Sequence, residues 1–315
     1  MPTIEQISSA RERISHHLHV TPVTSASLLG KEANVALFLK CENLQKTGSF
    51  KPRGALNKVC RLDAAARRRG VVTVSAGNHA QALAWAARTA NVRATVVMPR
   101  AASQAKADAS AAYGAEVVRH GTTFEAFERA QALASERGLV FVHPFDDEEV
   151  MAGAGTTGLE ILEQVAEVDA VVVPIGGGGL IGGVAAAIKQ LRPAVRVYGV
   201  EPRGAAAMRS SLDAGRAVRL QAVDTIADGL AAPMAGALTY DVVQRYVDDV
   251  VLVSDDEITS AVRALLSRAK LLAEPAGAAA VAAILARRLA LRDGENVVAV
   301  VSGGNVDLAR LKEML

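Results

Sequence analysis

Four short segments of this chain hold the residues that could do chemistry. In Gly48-Ser49-Phe50-Lys51-Pro52-Arg53-Gly54, Lys51 stands where a polar turn opens a helix. A desolvated lysine amine is a nucleophile towards carbonyl carbon and a base towards acidic C–H bonds. Taken alone, it would be a surface lysine beside a capping serine. Ser75-Ala76-Gly77-Asn78-His79-Ala80 joins the apolar run Val71–Val74 to a helical pattern. Its free N–H groups at a helix start suit a carboxylate, a role compatible with a plain N-cap turn. Ser302-Gly303-Gly304-Asn305 ends the run Val297–Val301. Gly176-Gly177-Gly178-Gly179 follows Val171–Val173 and opens the helical run Leu180–Leu191, where converging N–H groups and the helix N-terminus suit a phosphate. Four glycines cost too much chain entropy for a mere tight connection.

The glycine segment also fits a second chemistry. Gly177, Gly179 and Gly182 satisfy G-x-G-x-x-G after a strand, and Glu201 follows about twenty residues on, where a dinucleotide site places its ribose-binding acid. A nicotinamide-dependent oxidoreductase is therefore the rival from a different class, and the loop alone does not separate the two.

The elements that must position these segments alternate along the chain. Strands are expected at Ala36–Lys40, Val71–Val74, Ala94–Met98, Glu116–Arg119, Val140–His143, Ala170–Pro174, Arg196–Val200, Val250–Val253 and Val297–Val301. Helical patterns cover Gly77–Arg88, Ser103–Tyr113, Thr123–Arg137, Met151–Val165, Leu180–Leu191, Asp255–Leu272 and Pro275–Arg288. That alternation gives an α/β fold, with parallel sheets and helices on both faces. The four segments all sit at strand C-terminal ends or helix starts, where open α/β sheets gather ligands. Gly70 and the turn-like His143–Asp147 bound a block of four strands. It reads as a small domain of residues 70–146 inserted into a large discontinuous one of residues 1–69 and 147–315.

Composition narrows the function classes. Half of the 315 residues are hydrophobic but only 3% aromatic, so the core is built from Ala, Val, Leu and Ile. A net charge of +2 and a single basic run, Arg67-Arg68-Arg69 before Gly70, fit a helix C-terminus better than a nucleic-acid patch. Cys41 and Cys60 have no metal or redox spacing, and the N-terminus lacks an apolar leader, so the expected compartment is the cytoplasm. The uncharged stretch Ala170–Ile188 is interrupted by Pro174 and the glycines, so no membrane span is expected. Few residues follow Gly304, so no appended regulatory domain is expected.

Taken in order, these segments resemble the serine/threonine dehydratase family of type II fold pyridoxal-phosphate enzymes, which also contains serine racemases. The resemblance runs from Thr21-Pro22 and Leu39-Lys40-Cys41-Glu42-Asn43 through Gly155-Thr156-Thr157-Gly158-Leu159-Glu160, Ala227-Asp228-Gly229 and Glu274-Pro275 to Ser302–Leu308. It implies two open parallel-rich sheets and pyridoxal 5'-phosphate as cofactor. Lys51 would carry the cofactor as a Schiff base and act as the base at Cα. Gly176, Gly177, Gly178, Gly179 and the N–H of Leu180 would hold the phosphate. Asn78 would donate to the phenolic oxygen, Phe50 would lie beside the ring, and Gly229 and Glu274 would line it. The backbone of Ser75, Ala76, Gly77, Asn78 and His79 would clasp the substrate carboxylate. Ser302 would bond the ring nitrogen, and a neutral hydroxyl there leaves the ring a weaker electron sink than a carboxylate would, which favours β-elimination.

The implied reaction is dehydration and deamination of L-threonine or L-serine to a 2-oxo acid and ammonia, by a dimer or tetramer. A serine racemase, or a dehydratase of another 3-hydroxy amino acid (hydroxyaspartate, phenylserine or a hydroxyectoine-pathway substrate), remains open. Three positions depart from the family's pattern. Ala76 stands where racemases use a serine as second base, and methyl cannot move a proton. Ala207 stands where some members place an aspartate that binds a divalent cation together with the match of Glu201, so no metal is expected. Ala154 replaces a glutamine.

Overall fold

In a computed structural model describing residues Met1–Leu315, the apolar runs become two separate sheets. The strands are β1 (Val23–Ser25), β2 (Ala36–Cys41), β3 (Val71–Val74), β4 (Ala94–Met98), β5 (Glu116–Arg119), β6 (Val140–Phe141), β7 (Ala170–Pro174), β8 (Arg196–Pro202), β9 (Asp249–Val253) and β10 (Asn296–Val301). The helices are α1 (Ile4–Ile14), α2 (Ser27–Ala33), α3 (Pro52–Cys60), α4 (Ala64–Arg69), α5 (Asn78–Thr89), α6 (Gln104–Ala112), α7 (Thr123–Arg137) and α8 (Glu148–Gln164). They continue as α9 (Gly179–Leu191), α10 (Ala207–Ala214), α11 (Ala237–Tyr246), α12 (Asp255–Ala264), α13 (Pro275–Leu285) and α14 (Leu308–Met314).

The larger sheet runs β1-β2-β10-β7-β8-β9, parallel except for β1, and the smaller runs β5-β4-β3-β6, parallel throughout. The central strands are buried on both faces, which explains their unbroken Val and Ala runs. In β10, Val297, Ala299 and Val301 enter one apolar cluster while Val298 and Val300 enter another. The last strand inserts between β2 and β7, with Val301 opposite Cys41. This places Ser302 at the same sheet edge as the turn after β7.

A buried charge cluster fastens α3 to the larger sheet. Arg53 donates to both oxygens of Glu42 at 2.7 and 2.8 Å and to both oxygens of Glu160 at 2.7 and 2.8 Å. Lys40 adds a bond to Glu160 and one to the carbonyl of Thr21 at 2.7 Å. Two cations and two carboxylates inside the protein are tolerable only when paired this fully. Lys51 is the residue before this helix.

Most expected elements form within a few residues of their limits, with three differences. The edge strand β1 and helices α1, α2, α10, α11 and α14 are additional. Of these, α1 carries a legible start signal, the capping box of Thr3 and Gln6. The expected strand Val140–His143 pairs only over Val140–Phe141, because His143 turns its ring back on the chain. The expected helix Asp255–Leu272 stops at Ala264 and closes in a wider turn ending at Lys270, whose φ of 60° breaks the run. That break returns Glu274 to the sheet edge, where its N–H meets Gly303 O at 3.1 Å.

Candidate active site

The four segments meet in a closed ring of contacts. Phe50 N–H donates to Ser302 O at 3.0 Å, and Ser49 bridges Gly303, so the lysine segment is pinned to the end of β10. Lys51 Nζ donates to Pro144 O at 2.8 Å and lies 5.0 Å from the Phe50 ring centroid. Phe145 covers Gly177 so closely that an added methyl would sit 2.3 Å from its ring. Gly176 is closed in by Gly229 O, 3.1 Å from where its methyl would be. Asn78 Nδ2 donates to Glu274 Oε1 at 2.6 Å, and both side chains face Gly303. The ring returns from Gly303 to Ser302.

Inside the ring, the turn after β7 exposes unpartnered donors. The N–H groups of Gly176, Gly177, Gly178, Gly179, Leu180 and Ile181 donate to no group of the protein; the first bond of α9 is Gly182 N–H to Gly178 O at 2.8 Å. Most of this segment is buried. Buried backbone donors are almost always paired, so a run of free ones at a helix N-terminus is a cradle for an anion. Gly178 needs to be glycine for its φ of 95°.

Across the ring, Ala76, Asn78 and His79 likewise offer N–H groups with no protein partner, while Gly77 N–H bonds Ser75 Oγ at 3.1 Å. These donors stand at the start of α5, as carboxylate binding requires. The His79 ring is turned inward, with Nε2 3.4 Å from Val142 O and Nδ1 unpartnered. Burial pushes it down to about 3, helped by the charge of Lys51, so the ring is neutral.

The titratable groups are tuned by burial. Desolvation lowers Lys51 to about 8, although the residue keeps some contact with solvent. Such an amine has a neutral fraction able to act as nucleophile or base. Glu274 is pushed up to about 7 by burial, against the pull of its Asn78 bond. Asn78 keeps one amide N–H free, because only one of its two donates to Glu274, while its oxygen accepts from Asn305 Nδ2 at 2.9 Å. Ser302 is buried, its hydroxyl 3.5 Å from Ala276 O. That contact is at the outer limit of a hydrogen bond and leaves the group available.

Comparison with known proteins decides between the two chemistries of the glycine loop. Residues 14–303 match the model of the pyridoxal-phosphate dependent enzyme family. The chain belongs to the serine/threonine dehydratase family of pyridoxal-phosphate dependent enzymes. It is similar to the L-threonine ammonia-lyase of Thermotoga maritima, 46% identical over all of this chain and 78% of that protein. It is 41% identical to the catabolic L-threonine dehydratase TdcB of Escherichia coli K12, over 99% of this chain and 95% of the other. Among solved structures, maize serine racemase superposes with a TM-score of 0.95 at 39% identity, covering 99% of this chain and 96% of that one.

As a member of this family the protein uses pyridoxal phosphate, and its residues fit that group: an unpartnered N–H cradle for a phosphate, a desolvated lysine amine for an aldehyde and a neutral hydroxyl for a ring nitrogen. The dinucleotide reading fails at Glu201. Its carboxylate is fully buried and accepts from Met208 N–H and Arg209 N–H, each at 2.8 Å, so it caps α10 and faces no ligand. Burial pushes it up to about 7 against those two bonds. Ala207 opens the same helix and offers no second carboxylate.

The turn His143–Asp147 was legible only as a domain boundary, yet it lies in the site. His143 Nδ1 accepts from the N–H of Phe145 and Asp146 at 3.3 and 2.8 Å, holding Pro144 O towards Lys51. The His-Pro-Phe-Asp-Asp string was the available signal: a histidine and two carboxylates in one short turn.

Proposed function

We propose that this protein dehydrates and deaminates a small L-β-hydroxy amino acid, threonine or serine, to a 2-oxo acid and ammonia. The observation that carries the reading is the run of unpartnered, mostly buried N–H groups at Gly176–Ile181, in a loop packed against Phe145, beside the Pro144 carbonyl that the desolvated Lys51 amine bonds. Pyridoxal phosphate, when bound, supplies an electron-withdrawing ring that acidifies the substrate Cα–H. The glycine loop and Leu180 N–H hold its phosphate, Ser302 faces its nitrogen, Asn78 offers its free N–H to the phenolic oxygen, and Phe50, Gly229 and Glu274 line it. The turn Ser75–His79 binds the substrate carboxylate through backbone N–H groups. Lys51, lowered to about 8, takes the Cα proton.

Ala76 favours elimination over racemisation. It lies in the carboxylate clasp and its methyl has no proton to deliver to the face opposite Lys51. The division into a large domain of residues 1–69 and 147–315 and a small one of 70–146 follows the two sheets, although the apolar cluster of the smaller one also takes Ala55, Leu56 and Val59 from α3. No helix is long and apolar enough to cross a membrane. Two unpaired cysteines suit a cytoplasmic enzyme, and the protein works as a homo-oligomer.

A keto-acid assay over threonine, serine, hydroxyaspartate and phenylserine, with chiral chromatography of the residual amino acid, tests the activity. Keto acid from L-threonine and L-serine with almost no D-isomer is expected. Abundant D-serine would move the reading to a racemase.

A further inference from the structure

Beyond the loop itself, one buried threonine from a distant helix bonds a carbonyl of the loop. Thr239 is fully buried in the first turn of α11, and its hydroxyl donates to Gly177 O at 2.7 Å, with Gly236 O a longer second acceptor at 3.1 Å. In a trans peptide the C=O of one residue and the N–H of the next point in opposite directions. Drawing Gly177 O outward to Thr239 therefore turns the Gly178 N–H inward, among the unpartnered donors of the cradle.

The threonine is itself held from the site. The N-cap of α11 is Gly236, which has no side-chain acceptor. Asp146 supplies one from outside, its Oδ1 accepting the Thr239 N–H at 3.1 Å. Asp146 adjoins Phe145, whose ring packs against Gly177. Gly177 is thus held by a hydroxyl at its carbonyl and by an aromatic ring against its Cα, both tied to one five-residue turn.

We infer that Thr239, seated by Asp146, is a positioning residue for phosphate binding: it orients the Gly177–Gly178 peptide so that the glycine loop recognises the phosphate of the cofactor. The inference rests on the reading of that loop as the phosphate cradle. Without the hydroxyl, Gly177 O is left buried and unpaired, and the peptide gains a reason to rotate.

The test compares apoprotein affinity for pyridoxal phosphate, for pyridoxal and for inorganic phosphate, followed by visible absorbance and thermal shift, in Thr239→Val and Thr239→Ser. Valine keeps the shape and loses the donor, whereas serine keeps the donor. Thr239→Val should bind pyridoxal phosphate about tenfold more weakly and lose stabilisation by inorganic phosphate, with pyridoxal affinity unchanged. Thr239→Ser should restore both losses. Unchanged binding of pyridoxal phosphate by Thr239→Val, equal weakening of both aldehydes, or no rescue by serine would each overturn the inference. If Thr239→Val does not fold, Thr239→Ala gives the same split. A wild-type apoprotein that binds pyridoxal as tightly as pyridoxal phosphate, and ignores inorganic phosphate, would instead sink the cradle reading itself.

Discussion

The two loops that offer free N–H groups to the site are built on opposite terms. In the loop after β7, Gly176, Gly177 and Gly179 lie against Gly229, Leu230 and Phe145, and Gly178 is fixed by its positive φ and by Thr239 and Met208 alongside. In the loop after β3, Gly77 has a negative φ and an added methyl would meet nothing within 4 Å. The first loop is packed into shape before any ligand arrives. The second borders open space. A tightly bound cofactor suits a preformed cradle, while a substrate that enters and leaves at every turnover suits the open rim.

The largest effect should come from the residue between the loops. Lys51→Ala should lower turnover about a thousandfold or more and abolish borohydride-stable attachment of the cofactor, with the far-ultraviolet dichroism unchanged. Retained covalent attachment together with turnover would show that another amine does the work.

The contrast between the loops can be broken directly. Gly177→Ala forces a methyl into the Phe145 ring, and overpacking of this kind costs roughly 1–3 kcal/mol of stability. It should also weaken cofactor binding. Gly77→Ala should leave stability within about 0.5 kcal/mol and act instead on the substrate, raising KM with cofactor affinity unchanged. Denaturant melts and cofactor titrations of the two variants check this; similar losses in both would mean that the loops do not differ in kind.

A smaller and more graded effect concerns the Lys51 amine. Burial lowers Lys51 to about 8, so its neutral form accumulates as pH rises through 8, well before an exposed lysine. Acylation of the apoprotein followed by peptide mapping should show Lys51 reactivity rising with a midpoint near that value. A midpoint above 10 would place the amine in water. Because the shift is downward, the charged form is disfavoured in the fold: the cost to stability sets in as pH falls below the ordinary lysine value of 10.5, and it is complete once pH is below about 8.

The smallest effect sharpens the open loop alone. Ala76→Ser places a hydroxyl in the carboxylate clasp, and D-serine should appear at a small fraction of the keto-acid rate, because the hydroxyl lacks supporting hydrogen bonds. Chiral chromatography reads it. D-serine already abundant from the unmodified protein would remove the argument from Ala76.

Local chemistry was readable along the chain because its causes are local. The glycine run, the lysine before Pro52 and the serine after β10 announce themselves by residue type, and the strands by their apolar runs. The alternation of strands and helices determined the α/β class, and Gly70 and the turn at His143 marked the limits between which all four strands of the smaller sheet lie. What tertiary structure decided was partnership. Nothing in the sequence states that the last strand inserts between β2 and β7, and that insertion alone brings Ser302 to Phe50. Nor could G-x-G-x-x-G reveal that Glu201 is buried as the cap of α10. Helix α11 was missed because its N-cap is a glycine whose missing acceptor comes from Asp146, and Phe145 was missed because its contact with Gly177 spans more than thirty residues. Periodicity and turn chemistry report forces between near neighbours; hydrogen bonds and packing between distant segments leave no such local mark until the chain is folded.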